Sequence, residues 1–99
     1  MAGRVLVGTF SIDINNVEFK QFTDGTGVRV YRKYIKFDPD LTGTVDVVAA
    51  LRHIDLAGGG LRIVVNTENI DREGFDLVFQ TWADTKIAGV GCSWTATYG

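Results

Sequence analysis

The sequence has little of the chemistry that builds metal centres, covalent crosslinks or nucleic-acid surfaces. Its 99 residues contain one cysteine, Cys92, and one histidine, His53. A single cysteine excludes a disulfide within the chain, and a single histidine without a cysteine cluster does not supply a zinc site of the usual kind. Ten basic and twelve acidic residues give a formal net charge of −2, which provides no positive field for nucleic acid. We therefore expect no metal, no cofactor and no nucleic-acid partner.

Long apolar runs are also missing. No stretch reaches the roughly 20 apolar residues of a membrane helix, and the N-terminus has no apolar run typical of a signal peptide. We expect a soluble protein without membrane insertion, either cytosolic or secreted and already processed. Its length fits one domain, residues 1–99. No serine has the surroundings of a nucleophile and no two carboxylates stand out as a catalytic pair, so an enzyme is not expected.

Alternating apolar and polar residues predict six strands. A period of two is typical of strands with two faces, and it occurs in residues 4–14, 28–37, 44–56, 61–70, 75–82 and 87–98. The run from Val47 to Leu51 also suits a helix, but its β-branched residues favour a strand. Residues 15–27 are predicted to be a long loop, and Cys92, in phase with Val90 and Trp94, a buried apolar residue. The pattern indicates an all-β fold, a six-stranded antiparallel β-sandwich.

The predicted hairpin of residues 61–82 carries a candidate binding surface. If Asn69 faces Phe75, then Arg62 faces Trp82, whereas a slip by two residues places Arg62 opposite Asp84. Either register brings a guanidinium, an indole and a carboxylate together on the side away from the core. Such a patch offers hydrogen-bonding groups and an apolar face to a sugar. Patterning alone favours the simpler alternative, in which Arg62 only packs over Trp82 as a cation–π pair worth about 0.5–1 kcal/mol.

Several short motifs occur together in the second half of the chain. They are Leu61-Arg62-Ile63 after a glycine loop, Gly74-Phe75, Thr81-Trp82, Thr85-Lys86 and Ser93-Trp94. In this order and spacing they resemble the H-type lectin domain, the fold of snail agglutinins that also occurs at the C-terminal end of discoidins. The resemblance covers residues 47–94, and weaker similarity reaches back to residues 8–13.

The resemblance implies a sandwich that assembles as a trimer, in some members paired into a hexamer. It also implies sites for galactose or N-acetylgalactosamine between neighbouring subunits. Arg62 matches the sugar-binding arginine of the family, beside Trp82 and Asp84. The acidic ligand of the family falls near Asp24, followed by Gly25.

Two positions depart from the family pattern. Ala83 replaces a binding histidine, and Ala88 replaces an aromatic residue. Arg62 and Asp84 favour a multivalent lectin module that binds glycans. Ala83 and Ala88 favour the alternative, an assembly module that binds no sugar and buries an outer face with Val64, Val78 and Trp82 between subunits. Since that face would be an apolar patch in a monomer, both hypotheses predict a homo-oligomer.

Overall fold

The computed structural model describes residues 3–99 as six strands and one short helix. The elements are β1 (Arg4–Asp13), α1 (Gln21–Asp24), β2 (Arg29–Lys36), β3 (Asp46–Gly58), β4 (Val64–Glu68), β5 (Gly74–Thr81) and β6 (Lys86–Tyr98). The six predicted strands are confirmed, although β4 is shorter than residues 61–70. In the described part of the chain, no helix is long and apolar enough to span a bilayer.

The strands form two antiparallel sheets of three, in the orders β1-β6-β3 and β2-β5-β4. The central strands β5 and β6 are the most buried, and they supply most of the core between the sheets. Phe75 of β5 meets Trp94 of β6 edge to face, with ring centroids 5.3 Å apart. Cys92 is fully buried in this core, as predicted, and burial raises the pKa of its thiol. The predicted sandwich architecture is therefore confirmed.

The β4–β5 hairpin adopts the first of the two predicted registers. Val64 lies opposite Gln80 and Glu68 opposite Asp76, which is the frame in which Arg62 comes opposite Trp82. The register slipped by two residues is wrong. Val65 and Thr67 lie opposite Phe79 and Leu77, which face the core. A slip by two residues would keep the same faces, so alternation alone does not choose between the two registers.

The prediction of a plain loop over residues 15–27 is wrong in one respect. The segment contains α1, and its Phe19 and Phe22 are fully buried with stacked rings whose centroids lie 4.5 Å apart. The Thr23 hydroxyl donates to the Ile87 carbonyl of β6 at 2.6 Å. The segment is therefore fastened to the sandwich, and it carries Asp24 and Gly25 to a fixed place.

Candidate functional site

Three chain connections meet at one end of the sandwich. The connection from β3 to β4 touches the β5–β6 turn, because the Thr85 hydroxyl donates to the Gly60 carbonyl. The α1–β2 connection touches the same turn, since the Gly27 amide donates to the Ala83 carbonyl at 2.9 Å. The Lys86 ammonium donates to the Gly25 carbonyl. Stretches far apart in sequence are thus brought to one exposed surface.

Arg62 is oriented by neighbours on the β5–β6 turn. Its Nη1 donates to Asp84 Oδ1 at 2.8 Å and to Thr85 Oγ1 at 3.1 Å, and its carbonyl accepts from the Thr81 hydroxyl. The Arg62 side chain is 36% exposed and that of Asp84 74%. Trp82, in the same turn, is 37% exposed. A carboxylate and a buried hydroxyl therefore fix the guanidinium, while the remaining N–H groups of Arg62 and the second oxygen of Asp84 can meet a ligand.

Ala83 gives the turn its shape. Its φ of 58° is in the left-handed region, which costs a non-glycine residue about 1–2 kcal/mol. The Ala83 carbonyl accepts from two donors, the Gly27 amide and Arg29 Nη2 at 3.0 Å. Gly59, with φ 74°, lies so close that a Cβ there would come within 2.3 Å of the Asp84 carbonyl oxygen. Contacts from the α1–β2 connection, from Arg29 and from Gly59 therefore hold the turn in this conformation.

Asp24 and Gly25 lie at the C-terminal end of α1. The Asp24 carboxylate is exposed and lies 3.9 Å from the Lys20 ammonium. Gly25 rests on the aliphatic stem of Arg29, where a Cβ would come within 2.9 Å of Cδ. The structure thus joins Gly25 to the turn, whereas the Asp24 side chain pairs with Lys20 and not with Arg62.

Sequence reasoning missed Arg29 and the supporting role of Thr85. Arg29 is 5% exposed and Thr85 is fully buried. The guanidinium of Arg29 donates to four backbone carbonyls, those of Gly27 (2.8 Å), Phe22 (3.1 Å), Thr85 (2.7 Å) and Ala83 (3.0 Å). The alternation of β2 was an available signal. Arg29 lies two positions before Tyr31, so both side chains fall on the side of the strand that faces the core.

A surface depression of about 550 Å³ lies elsewhere, on the outer side of the β1-β6-β3 sheet. Asp13, His53 and Asp55 line it, and Gly89 is part of its floor. In residues 3–99, no group of three or more histidine, cysteine or acidic side chains is arranged to hold a metal ion. We therefore place the candidate site at the Arg62 end, where the polar side chains hold one another in place.

Solved structures with a similar fold come from Dictyostelium discoideum. Native recombinant discoidin II aligns with 96% of this chain at a TM-score of 0.82 and 28% identity. Wild-type discoidin II aligns with 99% at a TM-score of 0.79 and 23% identity. The chain covers 36% and 38% of those two discoidin chains, so it spans little more than a third of their length. The fold is similar to the β-sandwich of discoidin II.

The family model described as the H-type lectin domain matches residues 32–97. The chain belongs to this family, which confirms the resemblance seen in its motifs and supports a carbohydrate-binding module rather than an enzyme. A protein of Fuscovulum blasticum, described as ATP synthase subunits region ORF 7, is 35% identical over 89 residues. That alignment covers 83% of this chain and 77% of the relative. Arg62 and the β5–β6 turn lie within the matched residues, and Asp24 and Gly25 lie before them.

Proposed function

We propose that residues 1–99 form one lectin domain that binds terminal galactose or N-acetylgalactosamine at the surface around Arg62. The observation that carries this proposal is the partly exposed Arg62 guanidinium, fixed by Asp84 at 2.8 Å and by Thr85 at 3.1 Å. A prepositioned donor loses less entropy on binding than a mobile side chain does. The surface is thus suited to the fixed hydroxyls of a sugar ring.

The chemistry of the pair favours neutral glycans. Arg62 supplies N–H donors and Asp84 an acceptor, which suits two adjacent hydroxyls. The charges of the pair cancel, and the Lys86 ammonium is already bonded to the Gly25 carbonyl, so an acidic sugar gains little. Trp82 offers an apolar face to the C–H groups of the ring. No metal takes part in this scheme, so chelators are expected to leave binding unchanged.

We further propose that Asp24 and Gly25 contribute from the same or a neighbouring subunit of a trimer. The family resemblance implies that such trimers pair into a hexamer in some members. Ala83 and Ala88 supply neither a hydrogen-bonding ring nor an aromatic face, so each single site is expected to be weak. A rigid trimer compensates through multivalency, because the second and third contacts with a glycan surface become intramolecular. Function on this proposal requires several sites per assembly.

The second candidate is an assembly module without sugar binding, and the same two alanines favour it. A glycan array with the purified protein separates the two candidates. Binding to galactose or N-acetylgalactosamine structures supports the lectin. A protein that assembles but binds none of the arrayed glycans supports the assembly module.

Replacing Arg62 by alanine tests the site itself. Loss of hydrogen bonds to a charged group costs about 1.5–3 kcal/mol, which is roughly ten-fold to a hundred-fold in affinity. We expect titration with N-acetylgalactosamine to show that loss, with the oligomer intact. Arg32→Ala is the matched control, because Arg32 is an exposed arginine that pairs with Glu68 and Asp76 on β4 and β5. Unchanged affinity together with a lower melting temperature in Arg62→Ala would refute the ligand role.

A further inference from the structure

Arg29 is a buried cation that is held by backbone carbonyls and not by a carboxylate. It is 5% exposed, and among residues 3–99 no acidic side chain lies within ion-pair distance of its guanidinium. Burying a charge without an opposite charge is costly. An apolar side chain would fill the same space without that cost. Space filling therefore does not explain the arginine, and its hydrogen bonds must account for it.

Those contacts join three separate segments. Nη1 donates to the Phe22 carbonyl of α1 at 3.1 Å and to the Thr85 carbonyl at 2.7 Å, while Nε donates to Gly27 at 2.8 Å and Nη2 to Ala83 at 3.0 Å. The planar fork of an arginine fixes the relative directions of its partners in a way that an ammonium does not. One side chain therefore sets how the α1–β2 connection lies against the β5–β6 turn.

Both sides of this link carry proposed ligand groups. Gly25 lies on the stem of Arg29, and the lack of a Cβ allows that approach. On the other side, Thr85 gives its carbonyl to Arg29 and its hydroxyl oxygen to the Arg62 guanidinium. Between them lies Ala83, whose backbone is left-handed. Its carbonyl accepts hydrogen bonds from Arg29 and from the Gly27 amide.

We propose that Arg29 is the positioning residue of the site, a proposal that rests on the proposed function above. It touches no ligand. Arg29 holds the Gly25 segment and the Arg62–Asp84 pair in the binding arrangement before the sugar arrives, so that binding does not have to order two mobile connections. Loss of the guanidinium then lowers affinity by loosening this end of the sandwich and not by removing a ligand contact.

The test compares Arg29→Met with a variant that weakens the protein elsewhere. Met keeps a long apolar stem and removes all four hydrogen bonds. Val47→Ala is the control for lost stability, because Val47 is buried at the opposite end of the sandwich, where it pairs with Ala96. Amide hydrogen exchange is read at Gly27, which donates to Ala83, and at Phe37, which donates to Glu73 at the far end. Arg29→Lys is the conservative variant.

In Arg29→Met we expect exchange at Gly27 to accelerate at least about ten-fold more than at Phe37, and affinity for N-acetylgalactosamine to fall at least about ten-fold. Val47→Ala should accelerate exchange at Gly27 no more than at Phe37 and leave the affinity close to wild type, and Arg29→Lys should recover part of each loss. Equal acceleration at Gly27 and Phe37, or an affinity no lower than that of Val47→Ala, overturns the proposal. If the wild type binds no glycan, the lectin function fails, and the exchange ratio alone then decides whether Arg29 positions this end.

Discussion

Ala83 combines a strained backbone with the absence of the imidazole that the family's binding histidine would supply. Its φ of 58° lies where asparagine, aspartate and histidine are enriched among non-glycine residues. A histidine at this position therefore meets no more backbone strain than the alanine does.

Replacing Ala83 by histidine is expected to strengthen sugar binding. An imidazole next to Trp82 adds one hydrogen-bonding group, and a hydrogen bond contributes about 0.5–1.5 kcal/mol, or roughly two-fold to ten-fold in affinity. Titration with N-acetylgalactosamine measures the gain. Ala83→Gly is the control, because it relaxes the backbone without adding a ring. An equal gain in both variants would assign the effect to the backbone and not to the imidazole.

The sequence predicts the Arg62–Asp84 neighbourhood because it follows from one local hairpin. Alternation restricts the register to frames that differ by two residues, and both predicted frames bring position 62 to the β5–β6 turn. Arg29 could not be predicted in the same way. Two of its partners, Ala83 and Thr85, lie 54 and 56 residues further along the chain, so their contact depends on how the two connections pack in three dimensions.

At the scale of elements, the packing of β1 against β6 depends on a glycine of β1. Gly8 lies opposite Trp94 in the β1–β6 ladder, and a Cβ on Gly8 would come within 2.3 Å of the indole ring. The indole thus lies across β1, and it also contacts the Phe75 and Phe37 rings at centroid distances of 5.3 and 5.9 Å. Gly8 is required for this packing.

Gly8→Ala is therefore expected to destabilise the protein by about 1–3 kcal/mol, the usual cost of overpacking a core. Urea unfolding measures the change. Gly3→Ala is the matched control, since a Cβ on Gly3 meets nothing within 4 Å and should leave stability close to wild type. A smaller side chain at position 94 should recover part of the loss, so the Gly8→Ala effect should shrink in a Trp94→Phe background. Equal stability of the two alanine variants would contradict this account.

The elements that the sequence misplaced are those with little ladder pairing. Residues 61–63 have the alternation of a strand, but hydroxyls of Thr81 and Thr85 bond the connection in place of a regular ladder. Phe22 of α1 lies three positions after Phe19, a spacing that suits one turn of helix, but the four residues of α1 are too few for a clear helical period. Long, strongly alternating segments such as β1 and β6 were predictable because many residues support the same pattern.

At the scale of the whole molecule, the two outer faces differ in polarity. On the β2-β5-β4 sheet, Arg32 pairs with Glu68 and Asp76 at 2.9 and 3.2 Å, and Val78 is only 5% exposed. Val78 therefore adds little to the apolar patch expected there. On the β1-β6-β3 sheet, Val7 and Val48 flank Thr95 in one row and are 68% and 65% exposed. The valine-bearing face of β1-β6-β3 is the better candidate for contact between subunits.

A homotrimer that uses this face should dissociate when Val48 is replaced by lysine. Covering a valine side chain stabilises a contact by about 1.5–3 kcal/mol, and a lysine there loses that gain and brings a charge that must be desolvated. Light scattering at micromolar concentration should give a trimer for the wild type and a monomer for Val48→Lys. Val17→Lys is the control, because Val17 is 87% exposed and lies outside the strands.

Val64→Lys decides between the two faces, because Val64 lies on the outer side of β4 and is 36% exposed. If this variant dissociates the trimer and Val48→Lys does not, the contact uses the β2-β5-β4 sheet instead. A wild type that is monomeric under the same conditions would refute the trimer and the shared site together. If Val48→Lys is monomeric yet binds free N-acetylgalactosamine as tightly as the wild type, one subunit completes the site. In that case only avidity for a multivalent glycan surface should fall, because each site then acts alone.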